Sequence, residues 1–333
     1  MTVPASVLFL GDCDPAATDL VGGKAAGLAE MWQAGMQVPP AFVVTASAYR
    51  RFVAEAGIRD VLSQLLAGAD DRPSREAAHA RVAEVFADAT SFGSSLWDEV
   101  RAAYERLGTE VAGDGPVSVA VRSSATAEDT ADASFAGEYE TELWIRGADD
   151  VCASVARCWT SLFNAHALAY LDHAGIEPTD VAMAVVVQLM VPAEAAGVMM
   201  TLHPVTGARD TIVIESAYGL GLGVVDGHLT PDHFELARGT GDVNLRLVAP
   251  KKRQYTFDPH RGAVILADVP ESRHREPSVS DDELVEIARL GVEIDQRNGH
   301  AMDIEWAIGR NGDGQRRLYL LQARPETVWS KQR

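Results

Sequence analysis

Lysine is scarce in this chain: of its 29 cationic residues only four, Lys24, Lys251, Lys252 and Lys331, are lysine. A lysine inside a motif therefore stands out. Cysteine is scarcer still. Cys13, Cys152 and Cys158 are odd in number and match no zinc spacing, so no disulfide framework is expected and a reducing, cytoplasmic setting is. No stretch reaches the ~20 apolar residues that span a bilayer, and no membrane partner is expected. The opening MTVPASVLFLGDCDP has no basic region and only a short apolar run, so a signal peptide is not expected either. Positive charge is outweighed by 48 acidic residues, for a net charge of -19. That balance argues against nucleic acid and anionic membranes as partners, since both require basic surfaces. What remains is 333 residues, 47% of them apolar, an ordinary globular composition whose length suggests about two domains.

The period of the apolar residues changes along the chain. Leu20–Gly35 opens on a glycine pair and carries Ala25, Leu28, Ala29 and Trp32 at helical spacing. Three amphipathic helices are expected within Ser47–Leu107. Val117–Val121 then alternates like a strand and feeds a polar stretch, Arg122–Gly137. Glu138–Ile145 alternates again, and Asp149–Gly175 reads as one long helix. Past Gly175 strands dominate, at Met183–Val191, Gly197–Leu202, Thr211–Ala217 and His233–Leu236. One more helix starts at Ser280, where Ser280 and Glu283 have the spacing of a capping box. Two last strands, Met302–Ile308 and Leu318–Ala323, flank a glycine-rich turn. The expected division is a helix-rich part, residues 1–187, carrying phosphate-binding loops, and a strand-rich part, residues 188–333.

Three segments carry chemistry. Gly22-Gly23-Lys24 lies at a helix start, where backbone N–H groups, the helix dipole and the ammonium all favour an anion. A plain glycine turn with a solvated lysine has the same pattern. Arg122-Ser-Ser-Ala-Thr-Ala-Glu-Asp129 leaves a strand end with a guanidinium able to grip phosphate in two places; a solvated loop of Ser and Asx turns remains the alternative. Glu305 and Gln322 lie on strands joined by a short connection, with Asp303 and Arg324 on the same respective faces. Oxygen donors of this kind suit Mg²⁺, although a surface hairpin with a cross-strand ion pair would look the same. Gly219-Leu-Gly-Leu-Gly223 has the wrong spacing for a dinucleotide fingerprint, and no adequate helix follows it.

Together these segments resemble the ATP-binding domain of the phosphoenolpyruvate synthase, pyruvate phosphate dikinase and rifampicin phosphotransferase family. The matching stretches run from Val21-Gly-Gly-Lys-Ala-Ala-Gly-Leu28 and Val38–Val44 through Val121–Asp129 and Ser134-Phe-Ala-Gly137. They continue through Gln188-Leu-Met-Val191, Gly197-Val198 and Gly219-Leu-Gly221 to Asp303-Ile-Glu-Trp306 and Gln322–Thr327. The resemblance implies an α/β (α+β) chain with an ATP-grasp fold, two lobes and a nucleotide site between them. It further implies that Lys24 and Arg122 hold ATP phosphates under a loop carrying Gly137 and Thr141. Gln188, Met190 and Val191 would lie at the adenine, Glu305 and Gln322 would bind Mg²⁺, and Arg324 would bind phosphate. Lys24, Arg122 and Arg324 form the implied catalytic set. Leu222 departs from the pattern, because similar proteins tend to have Glu there.

Similar enzymes continue into a domain with a phosphorylatable histidine, and no such motif stands in these 333 residues. The expected function is therefore a Mg-ATP-dependent phosphotransferase unit that passes pyrophosphoryl or phosphoryl to a histidine on a separate domain or chain, with AMP released. A self-sufficient ATP-grasp kinase or ligase acting on a small molecule is the alternative. A non-catalytic nucleotide sensor is a third reading.

Overall fold

Ala41–Val44 and Met183–Leu189 are short runs with almost no polar residue, the pattern of strands covered on both faces. They form the middle of a five-stranded antiparallel sheet. In the computed structural model, which describes residues 5–91, 94–112, 115–125, 141–310 and 314–329, the chain divides into two compact units. The first comprises residues 1–30 and 40–190, the second residues 31–39 and 191–333. Helix and sheet are mixed in both, as an α+β chain requires. Among the described residues no helix is long and apolar enough to cross a membrane.

The sheet of the first unit has the order β1 (Val7–Phe9), β2 (Ala41–Val44), β5 (Met183–Leu189), β3 (Ser118–Ala125), β4 (Thr141–Arg146). Around it lie α1 (Thr18–Gln33, which continues into the 31–39 segment), α2 (Ala46–Glu55), α3 (Arg59–Leu66), α4 (Arg72–Ser91), α5 (Ser95–Ala112), α6 (Ala148–Thr160) and α7 (Ala165–Ala174). Phe52 is the hub of the core. Its ring centroid lies 5.3 Å from that of Trp159, 5.4 Å from Phe86 and 5.5 Å from Trp97, distances at which aromatic pairs attract beyond simple burial.

Three local expectations need correction. Four helices, α2 to α5, occupy the stretch expected to hold three, because α3 is a short separate helix between Ile58 and Ala67. The single helix expected over Asp149–Gly175 breaks at Asn164, which leaves the helical conformation and caps α7 by accepting the Ala167 N–H at 2.8 Å. Arg122 does not leave a strand end. β3 runs on to Ala125 because its pairing with β5 continues to Ala125↔Met183.

The second unit is built on a six-stranded antiparallel sheet. Its order is β13 (Arg316–Pro325), β12 (Met302–Arg310), β6 (Ala193–Met200), β7 (Thr211–Tyr218), β8 (Asp232–Ala237), β9 (Val243–Leu247). A four-residue helix α8 (Leu222–Val225) follows β7, and β10 (Arg253–Asp258) pairs with β11 (Ala263–Asp268) in a separate hairpin. Helix α9 (Asp281–Asn298) packs on β6, β7 and β12. Its expected capping box is present: Ser280 Oγ accepts the Glu283 N–H, and Glu283 Oε2 accepts the Ser280 N–H at 2.8 Å. On the sheet face opposite the buried Ile214, Phe234 and Ile304 stand the half-exposed Glu215, His233, Asp303 and Glu305.

Candidate functional site

In the first unit, two motifs 99 residues apart in sequence meet. Gly22 has φ 76° and ψ 164°, a conformation that side chains disfavour, and a Cβ there would lie 1.9 Å from the Ser124 carbonyl oxygen. Glycine is what lets α1 seat directly on β3. Ser124 then fastens the contact, accepting the Ala25 N–H at 3.0 Å and donating to the Val21 carbonyl at 2.8 Å. The Lys24 ammonium donates to the Ser123 carbonyl at 2.6 Å. Lys24 and Arg122 are both buried, at 6% and 9% exposure. Two buried cations near one another carry charge of the sign that complements an oxygen-rich anion.

Arg122 lies inside β3, opposite Val186 of β5 and Thr141 of β4. Its Nη1 donates to Gln188 Oε1 at 3.4 Å, which fixes how the carboxamide faces. Gln188 is 2% exposed, and its Nε2 has no hydrogen-bond partner among the described residues. A buried amide with spare donors fits a ligand that supplies an acceptor. The structure thus brings Lys24, Arg122, Thr141 and Gln188 into one neighbourhood of the sheet. Met190 follows β5 and donates its N–H to the Ser118 carbonyl at 2.9 Å, while Val191 opens the second unit. Gly137 and the Ser134-Phe-Ala stretch before it lie outside the described residues.

In the second unit the hairpin has the expected register. Glu305 faces Gln322 and Asp303 faces Arg324 across β12 and β13, with a bulge immediately after Glu305. Asp303 and Arg324 approach to 3.6 Å. Burial pushes the Asp303 carboxyl up to about 6; Arg324 opposes that shift and Glu326 reinforces it. Among the described residues no group of three or more His, Cys, Asp or Glu side chains is placed to hold a metal. Two neighbouring oxygen donors are nonetheless a fitting set for Mg²⁺, which takes one or two protein ligands and completes its shell with phosphate and water.

The turn after β7 is fixed by contacts that the sequence did not announce. Gly219 has φ 75°, and a Cβ there would lie 2.2 Å from the Tyr255 carbonyl, which accepts the Leu220 N–H at 2.8 Å. Leu222 begins α8, whose four residues confirm that no dinucleotide-type helix follows. Beneath the turn Asp232, fully buried, accepts from Lys251 Nζ at 2.5 Å, from Ser278 N and Oγ at 2.9 Å and from Ala249 N at 3.0 Å. Lys251 Nζ also lies 5.3 Å from the centre of the Tyr218 ring. No local motif marks this pair; only the rarity of lysine could have drawn attention to it.

The chain matches the model of the pyruvate phosphate dikinase AMP/ATP-binding domain over residues 18–333. It is 39% identical over 327 residues to a probable phosphoenolpyruvate synthase of Methanocaldococcus jannaschii, an overlap covering 98% of this chain and 27% of that protein. To the phosphoenolpyruvate synthase of Aeropyrum pernix it is 40% identical over 353 residues, covering 98% and 43%. With that of Pyrococcus furiosus the identity is 36% over 347 residues, covering 93% and 42%. The chain thus spans less than half the length of each of these curated relatives.

Proposed function

This chain belongs to the family of the pyruvate phosphate dikinase AMP/ATP-binding domain, and from that membership we propose that it binds Mg-ATP and donates a pyrophosphoryl group to a histidine on a separate domain or chain. In this reading an imidazole nitrogen attacks the β-phosphorus, and AMP leaves with the bridging oxygen and its electron pair. Such transfers need little covalent help from the protein; positioning and compensation of charge carry them. That is consistent with a residue set rich in cations and oxygen donors that includes no nucleophile of its own.

Each side chain then has a definite task. Lys24 and Arg122 hold phosphate oxygens, with Arg122 steadied by Gln188; Thr141, expected in a covering loop, instead pairs beside Arg122 as the first residue of β4. The spare Gln188 amide, with Met190 and Val191, lies toward the adenine. Glu305 and Gln322 hold Mg²⁺, and Arg324 holds phosphate. Bound there, the metal neutralises charge on the phosphates. The greater length of the phosphoenolpyruvate synthases supports a histidine carried elsewhere, since this chain spans 27% and 43% of two of them.

The observation that carries the reading is the docking of Val21–Ala25 onto Ser123-Ser124 beside Arg122. Calorimetry tests it directly: ATP with Mg²⁺ should bind to the chain, and absence of binding at millimolar nucleotide would overturn the proposal. Product analysis completes the test. AMP together with an acid-labile pyrophosphohistidine on an added carrier, or a phosphohistidine with one equivalent of inorganic phosphate released, supports the transfer, whereas ADP and a phosphorylated small molecule identify a direct kinase.

A further inference from the structure

Asp303 and Glu305 are placed by where β12 begins, and a single side chain beyond the end of β6 controls that point. β6 and β12 pair up to Met200↔Asp303, so the next rung joins Thr201 to Met302. Half of that rung is regular, with the Thr201 N–H donating to the Met302 carbonyl at 3.0 Å. The other half is not. The Met302 N–H goes to the Thr201 hydroxyl at 2.8 Å, in place of the Thr201 carbonyl that regular pairing would use.

The displaced groups are accounted for. The Thr201 hydroxyl donates onward to Asp295 Oδ2 at 2.7 Å, and the Thr201 carbonyl accepts from Arg238 Nη1 at 2.9 Å. Arg238 Nη2 closes the circuit on Asp295 Oδ1 at 2.5 Å. Thr201 is fully buried and Asp295, on α9, is 8% exposed, so the bonds are shielded from competing water. Helix α9 comes close enough to take part because residue 291 is glycine; a Cβ there would lie 2.5 Å from Met199 Sδ. A threonine hydroxyl has therefore been inserted into a sheet ladder and clamped from two other elements, one rung before Asp303.

We infer that Thr201, held by Asp295 and Arg238, is a positioning residue for the metal-binding hairpin. The inference rests on the reading of Glu305 and Gln322 as Mg²⁺ ligands. Without the hydroxyl, Met302 N–H falls back on the carbonyl of residue 201 in competition with Arg238 Nη1, and the strand start bearing Asp303 and Glu305 shifts relative to Gln322. Groups that orient metal ligands from behind typically matter ~10–100-fold in metal affinity. Acting through the backbone, Thr201 should fall near the lower end.

The test is ATP binding by calorimetry across a Mg²⁺ titration, with thermal unfolding measured on every variant. Thr201→Val, which keeps shape and removes the hydroxyl, should raise the Mg²⁺ concentration for half-maximal binding by about tenfold. Thr201→Ser should restore the wild-type dependence. Glu305→Ala, which removes the oxygen donor, should shift it at least as far as Thr201→Val, which checks the underlying reading separately. A folded Thr201→Val with wild-type Mg²⁺ dependence, alongside a shifted Glu305→Ala, overturns the positioning role and leaves the metal site standing. An unshifted Glu305→Ala overturns the metal reading, and this inference with it. Should Thr201→Val not fold, Arg238→Met carries the same test, because it removes the clamp on the Thr201 carbonyl from a partly exposed position.

Discussion

Gly22→Ala asks whether the seating of α1 on β3 is what builds the cationic site. Two contributions can be worked out. The backbone at φ 76° and ψ 164° is open to glycine and costs other residues about 1–3 kcal/mol. The new Cβ would lie 1.9 Å from the Ser124 carbonyl oxygen and 2.4 Å from Ser124 Oγ. β3 cannot yield, since β4 and β5 pair with it on both sides. The start of α1 must lift instead, breaking the two bonds made by Ser124 Oγ, at about 0.5–1.5 kcal/mol each. The expected loss is about 2–6 kcal/mol. Gly57→Ala is the matched control within the same unit: its φ is +64°, but nothing lies within 4 Å of the added Cβ. Conformation alone costs about 1–2 kcal/mol there. Urea unfolding gives the stabilities and calorimetry the ATP affinity. Gly22→Ala should be the more destabilised of the two and, with Lys24 two residues away, should also lose most of its ATP binding, while Gly57→Ala keeps it. Equal destabilisation together with wild-type ATP affinity in Gly22→Ala would refute the reasoning.

Lys251→Met should destabilise the chain by about 3–5 kcal/mol, because it leaves the fully buried Asp232 carboxylate without its cation; a loss below about 1 kcal/mol in urea unfolding would show the pair to be dispensable. Cys13 and Cys152 should resist alkylation in the folded chain. Burial pushes each thiol from 9.0 up to about 11, with a nearby Asp12 adding to the shift at Cys13. About a hundredfold less thiolate is then available at pH 8 than in an unshifted thiol, and the reactive form appears only as pH rises toward 11. Prompt modification of both at pH 8, without unfolding, would contradict the burial described.

What could be read in the sequence was what local interactions decide. Ser280 and Glu283 cap α9 as their spacing requires, because a capping box is complete within four residues. The facing of Glu305 with Gln322 was accessible because alternation and a short connection leave an antiparallel pair few registers. The break before α7 was less visible: Asn164 interrupts a run of apolar residues whose helical spacing continues on both sides. The extent of β3 was hidden too, since Arg122-Ser-Ser-Ala125 has the composition of a loop and is held in the sheet along its whole length by Met183–Val186 of a strand about sixty residues later.

The same division holds for the candidate site. Lys24 and Arg122 each have a local signature, a glycine-led helix start and a strand-borne guanidinium, but their adjacency depends on Ser124 reaching across 99 residues of sequence. Gln188 entered the reading through resemblance alone. Its bond to Arg122 follows from diagonal placement across β3 and β5, where Ala120 faces Gln188 and Arg122 faces Val186. Thr201 is the extreme case. A threonine at a strand end is commonplace, and its hydroxyl acquires meaning only because Met302, Asp295 and Arg238 arrive from three other elements. Side chains that bind ligand can advertise themselves by type and spacing. A side chain that replaces a backbone carbonyl in a ladder has nothing to advertise until the ladder is built.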